Sequence, residues 1–261
     1  MLIVRTRFLS LGARLKSIDL NADLGEGQPF DLELMGIISS ASIACGGHAG
    51  DIDTMAGALI AAKDAKIVTG AHPGFEDKEN FGRVRLDMPI HQIVAQVERQ
   101  LKTLLSISAE IGQTISYVKL HGAMYNWASK DEGFARELFI AIKDINSTLR
   151  IMALDNSAQV SAARSIGLET ISEAFVDRAY DLEGFLVDRS ISGAVFHQTE
   201  KAVFQALSIV ERGQIISIDH TPISSNAQSL CLHGDNVAAL TLARSVRDGL
   251  LAAGVTIQAP A

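Results

Sequence analysis

Four histidines, His48, His72, His121 and His233, each follow directly on a short apolar run. Acids, amides and cations gather at the same kind of place. Asn21 and Asp23 end the first run, Lys119 precedes His121 by two residues, and Asp177 and Arg178 follow another run. Imidazole titrates near neutral pH, so it moves protons, or it binds a metal through a ring lone pair. A carboxylate beside it can take a proton from water. One such histidine is more often a satisfied structural residue, but four at equivalent positions point to a shared site. Asp23 is thus a candidate general base. His48, His72 and His121 are candidates for protonating a leaving group or stabilising developing charge. Imidazoles with a carboxylate also suit zinc, nickel or iron, yet neither HxxxH nor HExxH occurs. A divalent metal is admitted without being required, and its ligands stay unassigned.

Residues two apart on a strand face one side, which pairs Asn21 with Asp23 and Lys119 with His121. A lysine in a buried strand needs a partner. Lys119 either clamps a substrate carboxylate or phosphate, or forms an ion pair with an acid such as Asp23 or Glu173. Arg178 either grips a carboxylate with two parallel hydrogen bonds or makes a structural salt bridge. Asn21, Lys119, Asp177, Arg178 and His233 are the candidate substrate-binding set. Gly46 and Gly47 precede a helix start, whose free N–H groups favour an anion such as phosphate. No GxxxxGK[ST] loop occurs, so any ATP is held in another way or by a partner protein. His91 falls on the polar face of a helix, and His197 and His220 lie in less defined stretches; these three read as structural.

The elements that must position these groups alternate. Strands are expected at Ser17–Asn21, Ser42–Cys45, Ala65–Thr69, Ile115–Leu120, Arg150–Ala153, Glu169–Ser172 and Ser229–Leu232, with a further apolar run at Ile215–Ile218. Asp31 opens a short helix, and others are expected over Asp53–Ala65, Asp131–Ile145, Glu200–Arg212 and Asn236–Ala253, with one more between Asp155 and Ile166. The clearest has Ile90, Ile93, Val94, Val97, Leu101, Leu104 and Leu105 on one stripe, with Asp87 as cap, Pro89 in its first turn and Gly112 at its end. Strands alternating with helices argue a parallel sheet. Polar residues follow at least six strand ends rather than one switch point, which favours a (β/α) barrel with an apolar centre over an open sheet.

With 261 residues, 48% of them hydrophobic, the chain can bury a sizeable core. A net charge of −7 without a basic patch disfavours nucleic acid, and no apolar run reaches the roughly 18 residues of a membrane span. Cys45 and Cys231 form no disulfide framework, which suits a reduced, cytoplasmic setting. Residues 1–16 carry Arg5, Arg7, Arg14 and Lys16 and no acid, and read as an arm ahead of one barrel domain over residues 17–261.

The run Asp19-Leu20-Asn21-Ala22-Asp23-Leu24-Gly25-Glu26 resembles the opening of the LamB/YcsF family. The similarity continues through Ile43–Asp51, Gly70–Pro73, Phe81–Arg83, Val118–Asn126, Glu173–Tyr180 and Cys231–Asp235, and so covers about residues 17–261. The resemblance implies a TIM-like, seven-stranded barrel akin to the glycoside hydrolase/deacetylase group. It implies the A subunit of a 5-oxoprolinase, with ATP as co-substrate and partner subunits B and C, opening 5-oxo-L-proline to L-glutamate. Ile52, Gly74, Val84 and Leu120 depart from the family pattern, which usually has proline, serine, arginine and proline there. The alternatives are a stand-alone metal-dependent amidohydrolase or deacetylase, and a non-catalytic subunit that binds a small acid.

Overall fold

The computed structural model describes residues 17–233 and 237–260. The basic arm expected over residues 1–16 lies outside them, as do Gly234 and Asp235. The first half contains β1 (Ser17–Leu24), α1 (Asp31–Met35), β2 (Ser40–Ala44), α2 (Ile52–Ala65), β3 (Val68–His72), α3 (Ile90–Ile111), β4 (Ile115–Val118), α4 (Gly122–Lys130) and α5 (Glu132–Ile145). The second contains β5 (Arg150–Leu154), α6 (Ala158–Ser165), β6 (Thr170–Phe175), α7 (Thr199–Arg212), β7 (Gln214–Ile216), β8 (Pro222–Ser224), β9 (Ser229–Leu232), α8 (Val237–Ala252) and β10 (Thr256–Ile257).

Seven strands run parallel in the order β1-β2-β3-β4-β5-β6-β9, and β9 pairs back onto β1, so the sheet closes. Closure leaves no unpaired edge. The seven-stranded (β/α) barrel expected from the strand–helix alternation is what forms. The helices cover it with their apolar faces: Ile93, Val97, Leu101 and Leu104 of α3 are buried, as are Phe134, Leu138, Phe139 and Ile142 of α5. Gly112 ends α3 at a φ of 71°, the left-handed conformation that glycine adopts without steric cost.

Several boundaries differ from the sequence-based expectation, each for a local reason. β3 begins at Val68, because α2 runs through Ala65 and Lys66 closes it in the left-handed conformation. β1 extends to Leu24 and β6 to Phe175, so Asp23 and Glu173 lie on strands rather than in loops. Pro89, not Asp87, stands at the N-cap of α3, and it makes no side-chain capping bond among the described residues. Asp131 does cap α5, accepting from the Phe134 N–H at 3.0 Å. A separate helix, α4, precedes it; its buried Met124, Tyr125 and Ala128 fall at helical spacing among polar neighbours. The Ile215–Ile218 run belongs to a small antiparallel hairpin, β7–β8, outside the barrel.

The barrel centre is polar, contrary to expectation. Asp19, Asn21 and Asp23 alternate along β1, and Ser229 and Cys231 alternate along β9. At the lower end the hydroxyls of Ser39, Ser40 and Ser229 donate to the Asp19 carboxylate at 2.6, 2.7 and 2.5 Å. These bonds compensate a carboxylate whose pKa burial raises. Tyr117, Met152 and Ile171 form a small apolar plug. The Tyr117 ring fits only because residue 70 is glycine: a Cβ there would stand 2.2 Å from the ring, nearer than any real carbon contact.

Candidate active site

The C-terminal ends of the barrel strands open into a cavity of about 610 Å³, lined among others by Asp23, Glu26, His72, Lys119, His121 and His233. That volume lies within the roughly 300–1,000 Å³ of small-molecule sites. Arg83, Arg178 and Arg189 line the same cavity, a cationic contribution facing the acids.

Lys119 stands at the cavity floor, 1% exposed. Its ammonium lies 2.7 Å from Glu173 Oε1, 3.0 Å from Asp23 Oδ1, 3.1 Å from Asn21 Oδ1 and 3.3 Å from Cys231 Sγ. Burial opposes its charge, but Asp23, Cys231 and Glu173 outweigh burial and hold the pKa well above the ordinary lysine value. An ammonium has three hydrogens. All three have acceptors here, so the ion-pair role is realised with both acids, and no hydrogen is left for a substrate oxygen. Asn21 also lies wholly inside the barrel, its amide donating to Glu173 at 2.9 Å and Ser229 at 2.7 Å. It positions Lys119 and Glu173 from beneath the cavity. Tyr125 donates to the other Glu173 oxygen at 2.9 Å.

Asp23 reaches from this group to the histidines. Its Oδ2 is 3.3 Å from His72 Nε2. Burial alone would raise its pKa; His72 and Lys119 outweigh burial and hold it well below the usual carboxylate range. His72 Nδ1 donates to the Lys119 carbonyl at 2.8 Å, and its Nε2 lies 2.9 Å from His121 Nδ1. His121 Nε2 donates to the Phe81 carbonyl at 2.9 Å. His48 stacks on His121 with ring centroids 3.5 Å apart and planes 3° from parallel. His48 Nε2 lies 3.1 Å from Glu26 Oε1, and its buried Nδ1 has no partner among the described residues. Burial, then His72, pushes His48 down to about 2 and His121 well below the ordinary value. Burial and the nearby Asp23 charge push Glu26 up to about 7.

A second group stands across the cavity. His233 Nδ1 donates to Asp177 Oδ2 at 2.6 Å. Burial opposes the imidazolium, but Asp177 outweighs it and lifts His233 above its ordinary value. Arg178 lines the cavity wall, yet its guanidinium donates to the Ala194 and Val187 carbonyls at 3.3 and 2.6 Å. That ties it to the long excursion after β6 rather than to a facing carboxylate. Arg189, from the same excursion, lies 3.5 Å from His233 Nε2.

Gly46 and Gly47 do not reach the cavity. A Cβ at Gly47 would stand 2.4 Å from the Gln100 side chain, so α3 fills that space. The N-terminus of α2 is already capped: Asp51 accepts from the Thr54 N–H at 2.9 Å, and Thr54 Oγ1 accepts from the Asp51 N–H at 2.7 Å. His91 and His197 are exposed, and His220 sits in the β7–β8 turn at a φ of 63°. Five groups stood outside the candidate site set: Glu26, Glu173, Tyr125, Arg83 and Arg189. Glu26 was detectable as an acid three residues beyond Asp23 at a strand end, and Glu173 as an ion-pair partner for Lys119; Tyr125 and Arg83 lie in motifs shared with the family, and Arg189 carries no local signal. Among the departures, Leu120 is buried in the cavity wall, Ile52 and Val84 are exposed, and Gly74 packs against His48 and His121.

Fold and site together define a parallel (β/α) barrel with an acid–histidine cavity at the C-terminal strand ends, the layout of barrel enzymes. The chain belongs to the LamB/YcsF family, whose model matches residues 18–261. It is 42% identical over 236 residues to the 5-oxoprolinase A subunit of Haemophilus influenzae (strain PittEE), covering 90% of this chain and 96% of that one. It is 40% identical over 245 residues to the 5-oxoprolinase A subunit of Neisseria meningitidis serogroup A, covering 94% and 100%. The crystal structure of the lactam utilization protein from Thermus thermophilus superposes with a TM-score of 0.87 at 34% identity, covering 94% of this chain and 100% of that one.

Proposed function

We propose that this chain is the A subunit of an ATP-dependent 5-oxoprolinase, opening the lactam of 5-oxo-L-proline to L-glutamate with partner subunits B and C. The observation that carries the reading is the near full-length similarity to 5-oxoprolinase A subunits. The cavity suits it, being polar, sized for a small acid, and lined by arginines as well as carboxylates.

A five-membered lactam is a resonance-stabilised amide and a poor electrophile. Phosphorylation of its oxygen by ATP removes that resonance. Water then adds to the ring carbon, the carbon–nitrogen bond breaks, and the nitrogen takes up a proton. The product is an acyl phosphate, and a second water releases phosphate and glutamate. Asp23 takes the proton from the attacking water; its depressed pKa keeps it ionised at every working pH. Lys119 and Asn21 hold Asp23 and Glu173 in place. The His72–His121 pair returns a proton to the leaving nitrogen. Arg83 and Arg189 bind the substrate carboxylate or the phosphate, while Asp177 orients His233. The nucleotide is handled by the partner subunits.

Glutamate release from 5-oxoproline is measured with this chain alone and with subunits B and C, each with and without ATP. Activity that needs both ATP and the partners supports the reading. Lactam opening by this chain alone, without ATP, replaces it with a stand-alone amidohydrolase. Full activity of the complex carrying Asp23→Asn replaces it with a non-catalytic role in binding a small acid.

A further inference from the structure

The hydrogen bonds of His72 and His121 fix where their protons lie. A carbonyl oxygen only accepts. His72 Nδ1, 2.8 Å from the Lys119 carbonyl, therefore carries a hydrogen, and so does His121 Nε2, 2.9 Å from the Phe81 carbonyl. That leaves His72 Nε2 and His121 Nδ1, each a lone pair once its ring gives up any second proton. They face each other at 2.9 Å. Further acceptors crowd the same point: Glu26 Oε1 is 3.5 Å from His121 Nδ1, and Asp23 Oδ2 is 3.3 Å from His72 Nε2. Four electron-rich atoms converging in a largely buried place call for a positive charge between them.

Without an ion, a proton on His72 Nε2 fills this point, donating to His121 Nδ1 or Asp23 Oδ2, while His48 serves Glu26; a metal ion takes the place of that proton. Zinc bonds to nitrogen and oxygen of about 2.0–2.1 Å at tetrahedral angles place ligand atoms about 3.3 Å apart. The observed 2.9 and 3.5 Å straddle that value. Each ring also donates its remote N–H to a backbone carbonyl, the outer contact that orients metal-binding histidines. His48 is not a ligand. A metal bonds in the plane of an imidazole, and the His48 ring lies parallel to His121 and one stacking distance away, at 3.5 Å. Its Nε2–H donates instead to Glu26, which aims that carboxylate. Glu26, His72 and His121 all line the cavity, so the position left open by three ligands faces the substrate space.

We propose that Glu26 Oε1, His72 Nε2 and His121 Nδ1 form a three-ligand site for a divalent transition metal ion of the zinc type, with an open position beside Asp23. Such an ion acidifies neighbouring water, which suits a base as weak as the strongly depressed Asp23 carboxylate. The site stands on its own geometry; with an ion bound, His72 and His121 hold the metal and no longer supply the proton for the leaving nitrogen.

The test needs no turnover. Protein purified without chelators is analysed for metals by mass spectrometry, then stripped and titrated with Co²⁺ while its visible absorption is followed. One ion per chain is expected, with the intense bands of a four- or five-coordinate cobalt site. Glu26→Gln keeps an acceptor for His48 and, as the loss of a charged direct ligand, is expected to weaken Co²⁺ binding by at least the roughly 10-fold seen for outer contacts, with the circular dichroism unchanged. His121→Gln is expected to do the same. Metal content no higher than in a dialysis blank, with no cobalt bands, overturns the proposal. So does cobalt binding that survives Glu26→Gln but is lost in His233→Ala, which would place the ion at Asp23, Cys231 and His233 instead.

Discussion

Lys119→Met is expected to destabilise the protein by an amount that grows with pH. The ammonium is 1% exposed and holds Asp23 and Glu173 at 3.0 and 2.7 Å, with Glu173 itself wholly buried. Methionine fills much the same volume, so packing is kept and the charge is removed. Two carboxylates then face each other's field without a cation. Breaking a buried pair in this way costs about 3–5 kcal/mol. For a chain of this size that corresponds to a melting temperature lower by roughly 6–20 °C. The pH dependence follows from the direction of the shifts. In the wild type the depressed Asp23 contributes stability that is present above the ordinary carboxylate range and lost as pH falls through its folded value. In the variant, burial raises the carboxylates, and stability is lost as pH rises through their new values. The deficit should therefore be larger at pH 8 than at pH 5. Thermal and urea melts at both values measure it, and Glu173→Gln added to Lys119→Met should recover part of the loss. A melting temperature at pH 8 within about 2 °C of wild type, or a deficit independent of pH, would refute the reasoning.

Asp23→Asn should abolish lactam opening by the complex while circular dichroism stays unchanged, and near-normal turnover would remove Asp23 from the base role. Gly70→Ala should destabilise by about 1–3 kcal/mol, because its Cβ would meet the Tyr117 ring at 2.2 Å; Tyr117→Leu in the same chain should relieve the clash, and equal melting curves for Gly70→Ala and wild type would exclude it. The His233 ring should titrate above the ordinary histidine value by NMR, and Asp177→Asn should bring it below that value, since burial then prevails. The stability from this pair is fully present below the ordinary histidine pKa and fades as pH rises through the raised folded value, so an unchanged His233 titration in Asp177→Asn would contradict the pairing.

Much of the fold was legible because its signals are local. Apolar runs, the α3 stripe and Gly112 state strand and helix positions within one or two turns of chain. The errors came where two local signals compete. Lys66 adopts a left-handed helix end that lysine rarely signals, which displaced β3, and Gly122 and Asn126, common loop residues just past a strand, hid α4. The polar barrel centre could not be read at all. Asp19 looks like a surface acid until Ser39, Ser40 and Ser229, up to 210 residues away, are brought to it.

The sequence by itself determined that acids and histidines stand at the ends of successive strands, since residue type and period-two alternation suffice for that. It also determined the family, through motifs spread over the whole chain. Only the tertiary structure decided which group faces which. Barrel closure and strand register put Lys119 against Asn21, Asp23, Glu173 and Cys231, four residues from three other strands, and so turned a candidate clamp into an ion-pair hub. The same closure turned His72 Nε2 toward His121 Nδ1 beside Glu26, and left Gly46 and Gly47 packed away from the cavity. Hydrogen bonding and ionisation depend on distances across the barrel, and those are set by strand pairing between segments that no local pattern relates.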